Sequence, residues 1–273
     1  MTNRTRWLVG IAVVGAALVA FGLYLTLRDN ARPVTVDEAQ SRTTTTAGTS
    51  AGGEADPRDD ARSRPAAGVY LYEGSGSESL STPPLSQSMG PEMPATVEHR
   101  DDGCWSLRID LSSNHWQRWD YCPEGDDLVE LGGESWQRWM IGPTAITNLS
   151  TFECDEGSVV LPADRSSEQE WDARCTGTNE AVEGETVSQG PSRFIGGEVV
   201  EVDGGEVSTL RFEQERTMSG SQRGGERAEL WFDVDTGLLV RLEREVEVRT
   251  DTPIGESTYT ESASFQLVSL TPQ

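Results

Sequence analysis

Lysine is absent from this chain of 273 residues, and histidine nearly so: all 22 basic residues are arginine, and the only histidines are His99 and His115. An all-arginine basic set is the mark of a GC-rich coding sequence. Two histidines and four cysteines supply poorly any zinc site built on several His or Cys ligands, and no metal or cofactor is expected. Positive charge is also scarce, 22 bases against 46 acids, for a net charge of −24. Residues 68–273 alone hold 39 Asp and Glu against 14 Arg. A surface so acidic repels phosphate backbones and anionic headgroups, which excludes nucleic-acid binding and charge-driven docking on a membrane. Helical periodicity is missing beyond the first thirty residues, where no amphipathic stretch of ten residues stands out.

Only one long apolar run is present, residues 7–27, flanked by Arg4 and Arg6 before it and Arg28 and Asp29 after it. At about 1.5 Å per helical residue it covers roughly 30 Å, the thickness of a bilayer's hydrocarbon core. It ends Phe21-Gly-Leu-Tyr-Leu-Thr-Leu27, without the small residues of a cleavage site, and no lipidation cysteine follows. The expected organisation is a short cytoplasmic tail (1–6), an uncleaved single-pass signal anchor (7–27), a disordered linker (28–67) and an extracytoplasmic domain (68–273). Arginines near the anchor are balanced, so orientation rests on the amino-terminal amine and on cysteines spaced like disulfide partners. The expected address is the plasma membrane, with the C-terminal domain outside the cytoplasm. Ala12, Ala16 and Ala20 form a small-residue stripe, which leaves the oligomeric state open. The linker, rich in Thr, Ala, Gly, Asp, Arg and Pro, buries too little apolar surface to offset its ordering entropy. Its Gly48-Thr-Ser-Ala-Gly52 lacks the strand and helix that a hydrolase nucleophile motif needs.

The domain carries the period of strands. Trp105, Leu107, Ile109 and Leu111 share one face, Ser112 to Asn114 make a turn, and residues 115–122 run back. That register sets Cys104 against Cys122, Trp105 against Tyr121 and Leu107 against Trp119, so Cys104–Cys122 and Cys154–Cys175 are the expected pairs among three connectivities. Trp116-Gln-Arg-Trp119 recurs twenty residues later as Trp136-Gln-Arg-Trp139. In a strand the two Trp of each unit point to opposite faces, one inward and one outward beside arginine. The repeat fits either an aromatic ligand groove or adjacent strands that pack alike, and packing is the favoured reading. Further strands are expected over 197–202, 207–218, 226–234, 238–250 and 256–270. Asp233-Val-Asp-Thr-Gly237 fails the calcium-loop pattern and reads as a turn with Gly237 at positive φ.

Glu229-Leu-Trp-Phe-Asp-Val-Asp-Thr-Gly-Leu-Leu-Val-Arg241, followed by a long charged strand and the 259–270 strand, resembles the strand, Asp-Gly turn, strand unit of lipoprotein-carrier proteins. That family, which includes mycobacterial envelope lipoproteins, holds lipid inside an open, curved antiparallel sheet. The likeness covers about 45 residues. The chain departs from the family in lacking a lipidation cysteine and a helix to plug the concave face. The order of anchor, tether and four-cysteine β-domain is also similar to actinobacterial single-pass membrane proteins.

The expected fold is therefore all-β, an antiparallel meander forming a large curved sheet or half-barrel behind one transmembrane helix and a tether. The leading expectation for function is non-catalytic binding of an apolar or lipid-like cell-envelope ligand, with Trp105, Trp119, Trp136, Trp139 and Trp231 as candidate contacts. Besides that ligand, the membrane reached through the anchor is the one expected partner. One alternative is a structural or protein-interaction module of the envelope. Another is a carboxylate-dependent hydrolase, which 39 acids leave open without naming a pair. His115, beside a turn, is expected to be solvated rather than catalytic.

Overall fold

The computed structural model describes residues 31–46, 64–100, 103–163, 170–253 and 255–273. The expected anchor and half of the linker lie outside these residues. Among the described residues, no helix is long and apolar enough to cross a membrane.

Among the described residues fourteen strands follow one helix: β1 (Gly68–Ser81), β2 (Pro84–Met89), β3 (Glu92–His99), β4 (Trp105–Ser112), β5 (His115–Glu124), β6 (Asp127–Ile141) and β7 (Thr144–Cys154), then β8 (Val159–Leu161), β9 (Glu170–Asn179), β10 (Val182–Val202), β11 (Gly205–Gly220), β12 (Gln222–Asp233), β13 (Leu239–Thr252) and β14 (Gly255–Leu267). Every pairing is antiparallel, and twelve of the strands run in sequence order around a ring. Strand β2 folds back on β1, and β8 pairs with β6 outside the ring. The sheet does not stay open: β1 pairs with β14 from Tyr72↔Leu267 to Leu80↔Tyr259, closing a barrel. Closure removes both edges that an open half-barrel would have exposed.

Inside and outside alternate along the strands as the pleat requires, and a register shift on β6 resets the row so that both Glu130 and Ser135 face the lumen. On β13, Leu242, Arg244, Val246 and Val248 point inward, while Arg241, Glu243, Glu245, Glu247 and Arg249 form the outer row. A charged outer row on this strand is the opposite of the apolar band that faces lipid in membrane barrels. Both expected disulfides are present, Cys104–Cys122 and Cys154–Cys175, and the hairpin register is as expected, with Trp105 opposite Tyr121 and Leu107 opposite Trp119. Gly237 sits at φ 74° between β12 and β13, the left-handed conformation that the turn demands.

Part of the expected linker is ordered. Helix α1 (Val36–Thr46) packs on the outside of β1 and β3, burying Ala39 together with Val34 just ahead of the helix, and Arg42 pairs with Asp110 of β4 at 2.8 Å. Thr35 and Glu38 close its first turn reciprocally: Glu38 N–H donates to Thr35 Oγ1 at 3.3 Å, and Thr35 N–H donates to Glu38 Oε2 at 3.1 Å. These bonds satisfy backbone donors that a helix start leaves unpaired.

A barrel of about eight strands is just wide enough for its own side chains to fill, so twelve leave room to spare. One half of the interior is plugged by a continuous cluster that includes Tyr70, Tyr72, Trp105, Phe194, Phe212 and Phe232. Phe212 lies at its centre, 5.3 Å from Phe194, 6.2 Å from Phe232 and 5.8 Å from Trp171 by ring centroids. The other half stays open.

Candidate functional site

The open half is a cavity of about 380 Å³, within the range of small-molecule sites. Towards the turns β6–β7, β9–β10 and β13–β14 its wall is apolar and neutral-polar, with Trp139, Ile146, Ala181, Val182, Val248 and Thr252. Deeper, it carries charge: Glu130, Arg216, Glu226, Arg244 and Glu261. The lumen is thus amphiphilic, with an apolar mouth and an ionic interior.

Two of the five expected Trp contacts reach it. Trp119 and Trp139 point inward and line the cavity. Their repeat partners Trp116 and Trp136 face outward, stacked on each other at 6.5 Å with Arg108 4.1 Å over Trp116. The opposite-face expectation for the repeat therefore describes the structure, and the same alternation removes Trp136 from the lumen. Trp105, 1% exposed, belongs to the plug against Tyr121. Trp231 lies on the outer face between the guanidiniums of Arg211 and Arg241, its Nε1–H donating to Glu198 at 3.0 Å. The five do not form one site, because register sends them to three surfaces.

Sequence reasoning missed the polar network at one side of the cavity. His115 is 0% exposed rather than solvated: Glu78 of β1 lies 3.2 Å from its ring, and Asn114 of the β4–β5 turn donates to Gln87 of β2 at 3.2 Å. Glu261 accepts from Arg244 through both Nε, at 3.0 Å, and Nη2, and Arg244 Nη1 donates to Gln117 Oε1 at 2.7 Å. Tyr259 O–H is shared between Glu261 Oε2 at 2.6 Å and Glu78 Oε2 at 2.8 Å. Glu78, itself buried, also accepts from Gln87 at 2.6 Å and Gln137 at 2.9 Å. Paired and hydrogen-bonded in this way, buried charges are tolerated in a low-dielectric interior.

The bond from Arg244 fixes more than Arg244. With its oxygen held there, Gln117 turns its NH₂ to His115 Nε2 at 3.3 Å, and Ser135 Oγ lies 3.3 Å from the same nitrogen. An amide NH₂ only donates, so Nε2 of the neutral ring accepts and Nδ1 carries the hydrogen. Nδ1 faces Glu78 Oε2 at 3.2 Å, a close ionic contact lying off the ring's N–H axis. Burial pushes the His115 pKa down, but Glu78 and Glu261 outweigh burial and Arg244, so it lies above the usual imidazole value.

Glu78, His115 and Glu261 bring ligand atoms within 4.8 Å of one another, as a metal site would. A cation there would have to displace the Nδ1 proton and compete with the guanidinium already on Glu261, so the cluster fits a closed ion network better than a metal site. Glu130 stands equally near Cys154 and Cys175, but those sulfurs are joined and offer no thiolate.

Glu130 is a second group of the site whose pKa is displaced. Burial pushes its pKa up to about 7, Arg216 opposing and Glu226 and Asp120 adding to the rise. The folded chain therefore keeps a proton that the unfolded chain has lost between pH ~4.3 and the folded value near 7. Stability contributed at this site is full below that window and is lost as pH rises through it, by at most about 1.4 kcal/mol per pH unit. Urea unfolding from pH 4.5 to 8 is expected to show this decline in the wild-type chain relative to Glu130→Gln; parallel curves would remove Glu130 as its source.

Comparison with protein-family models, with curated proteins and with solved structures finds no match to this chain.

Proposed function

We propose that the barrel lumen binds a small amphiphile of the cell envelope, with its apolar chain along the Trp119, Trp139, Ile146 and Val248 wall and an acidic head group on Arg216. The observation that carries this reading is the half-plugged barrel, whose remaining interior joins an apolar mouth to an ionic floor. Arg216 is the cation free to take such a head group. It donates to Gly190 O at 2.5 Å and Ser192 Oγ at 3.3 Å and is ion-paired to no carboxylate among the described residues. Arg244, by contrast, is already held by Glu261 and Gln117. An extracytoplasmic position on the cell membrane accords with two disulfides, which persist in oxidising compartments.

A photoreactive fatty acid bearing a diazirine, added to the full chain in detergent micelles, is expected to crosslink to lumen-facing residues of β6, β7, β11 and β13. Loss of a charge-assisted contact is worth about 1.5–3 kcal/mol, so Arg216→Leu is expected to weaken labelling roughly tenfold or more. Labelling confined to the outer face, or unchanged in Arg216→Leu, would count against the assignment. Affinity is also expected to rise as pH falls through 7, because Glu130, facing Arg216, Glu226, Asp120 and Tyr121, then becomes neutral and ceases to compete for the cation.

A further inference from the structure

Three side chains of the buried network fall in a line that the binding reading does not use. Ser135 Oγ is 3.3 Å from His115 Nε2, and His115 Nδ1 is 3.2 Å from Glu78 Oε2. They come from β6, β5 and β1. Across the β5–β6 ladder Gln117 pairs with Ser135 and His115 with Gln137, which makes His115 and Ser135 diagonal neighbours on the inner face. Ser135 lines the cavity, whereas His115 and Glu78, 0% and 1% exposed, lie behind it. An acyl-transfer relay needs this order: a hydroxyl open to substrate, an imidazole behind it, and a carboxylate at the far ring nitrogen.

We propose that Ser135 is the nucleophile of an ester-hydrolysing site in the lumen, with His115 as its general base and Glu78 as the positioning residue that holds the ring. The substrate class rests on the amphiphile reading: a carboxylic ester whose acyl chain occupies the apolar wall.

The tautomer is the one such chemistry requires. Through Gln117, Arg244 leaves the lone pair of His115 on Nε2, the nitrogen facing Ser135, and the hydrogen on Nδ1, facing Glu78. In acylation the Gln117 NH₂ moves off Nε2, whose one lone pair it occupies, and the Ser135 oxygen bonds to the ester carbon as Nε2 takes the hydroxyl proton. The bond from that carbon to the alkoxy oxygen then breaks, and the proton passes from Nε2 to the departing alcohol. Water reverses the sequence: its oxygen bonds to the acyl carbon, its proton goes to Nε2, the bond to Ser135 breaks and Ser135 is reprotonated, leaving a free carboxylic acid. The Gln117 amide, beside the nucleophile, is a donor for the oxyanion. At 3.3 Å the Ser135 hydroxyl is within reach of Nε2, and a small turn of the His115 ring brings the Nδ1 hydrogen onto Glu78, 3.2 Å away.

His115 works only when neutral. Glu78 of β1 and Glu261 of β14 favour its charged form, Arg244 of β13 opposes it, and Tyr259 of β14 faces the same carboxylates as a neutral hydroxyl. Activity is therefore expected to rise with pH through an inflection above the ordinary imidazole value of about 6.5.

The test is reaction of the full chain in micelles with an alkyl fluorophosphonate, which captures activated serines, followed by peptide mass spectrometry. The expected result is an adduct on Ser135, absent in Ser135→Ala and formed about 100-fold more slowly or worse in His115→Gln. Its rate is expected to rise with pH as above, the inflection moving to lower pH in Glu78→Gln; a merely structural Glu78 would leave the profile in place. A chain that takes the photoreactive fatty acid but gives no Ser135 adduct, or an adduct indifferent to His115→Gln, overturns the relay and leaves lumen binding standing. Failure of both reagents overturns the binding reading and the relay with it.

Discussion

Replacing Arg244 by Met is expected to destabilise the barrel by about 3–5 kcal/mol, the usual cost of removing one partner of a buried ion pair. Glu261 is 4% exposed and Glu78 1%. Arg244 supplies the charge beside Glu261, and without it two carboxylates face one imidazole in a space that water reaches only through the lumen. Either a proton is taken up or the strands part. For a domain of this size each kcal/mol moves the melting temperature by roughly 2–4 °C, so scanning calorimetry is expected to show a fall of about 10 °C. Glu261→Gln in the same chain should restore much of the loss, because the orphaned charge goes with it. A double variant no more stable than Arg244→Met would show that the arginine acts by packing its stem and not by its charge.

Phe212→Ala is the second large effect, expected at about 3–5 kcal/mol. Phe212 touches three aromatic rings at the middle of the plug and is 1% exposed. Its removal opens a void between rings held by three different strands, which a closed barrel wall cannot collapse to fill. Phe212→Leu, which keeps most of the volume, is expected to cost less than half as much in urea unfolding. Equal losses in the two variants would assign the effect to ring stacking instead of volume.

Much of the wall was legible in the sequence because its signals are local. Alternation on 238–250 and the turn at Gly237 led to β13, and the 104–122 hairpin gave its own register and a disulfide. What was not legible depends on contacts distant in sequence. Strand β1 contains Gly74-Ser-Gly-Ser77, a poor strand by propensity. Those glycines are there for β14: a Cβ on Gly74 would lie 2.2 Å from Ser264 O, so only glycine lets the seam close. Helix α1 did carry a sign, the capping pattern Thr35-Val-Asp-Glu38, masked by the polar composition around it. The network at the lumen also left a trace. Arg244 sits between Leu242 and Val246, and Glu261 between Tyr259 and Ala263, charges on the inward row of alternating strands. Such inward charges need partners, but only the closed ring brings strands β1, β5, β6, β13 and β14 around one point.

The seam between β1 and β14 also orders events in time. The strand that begins the wall is completed by the one made last, so during synthesis every other neighbour in the ring can pair while β1 waits with one edge bare. Pairings this distant in sequence are slow to form. The nascent domain thus passes through a stage in which its Gly74-Ser-Gly-Ser77 edge is open to any other extended segment, and the arrival of β14 decides when that stage ends.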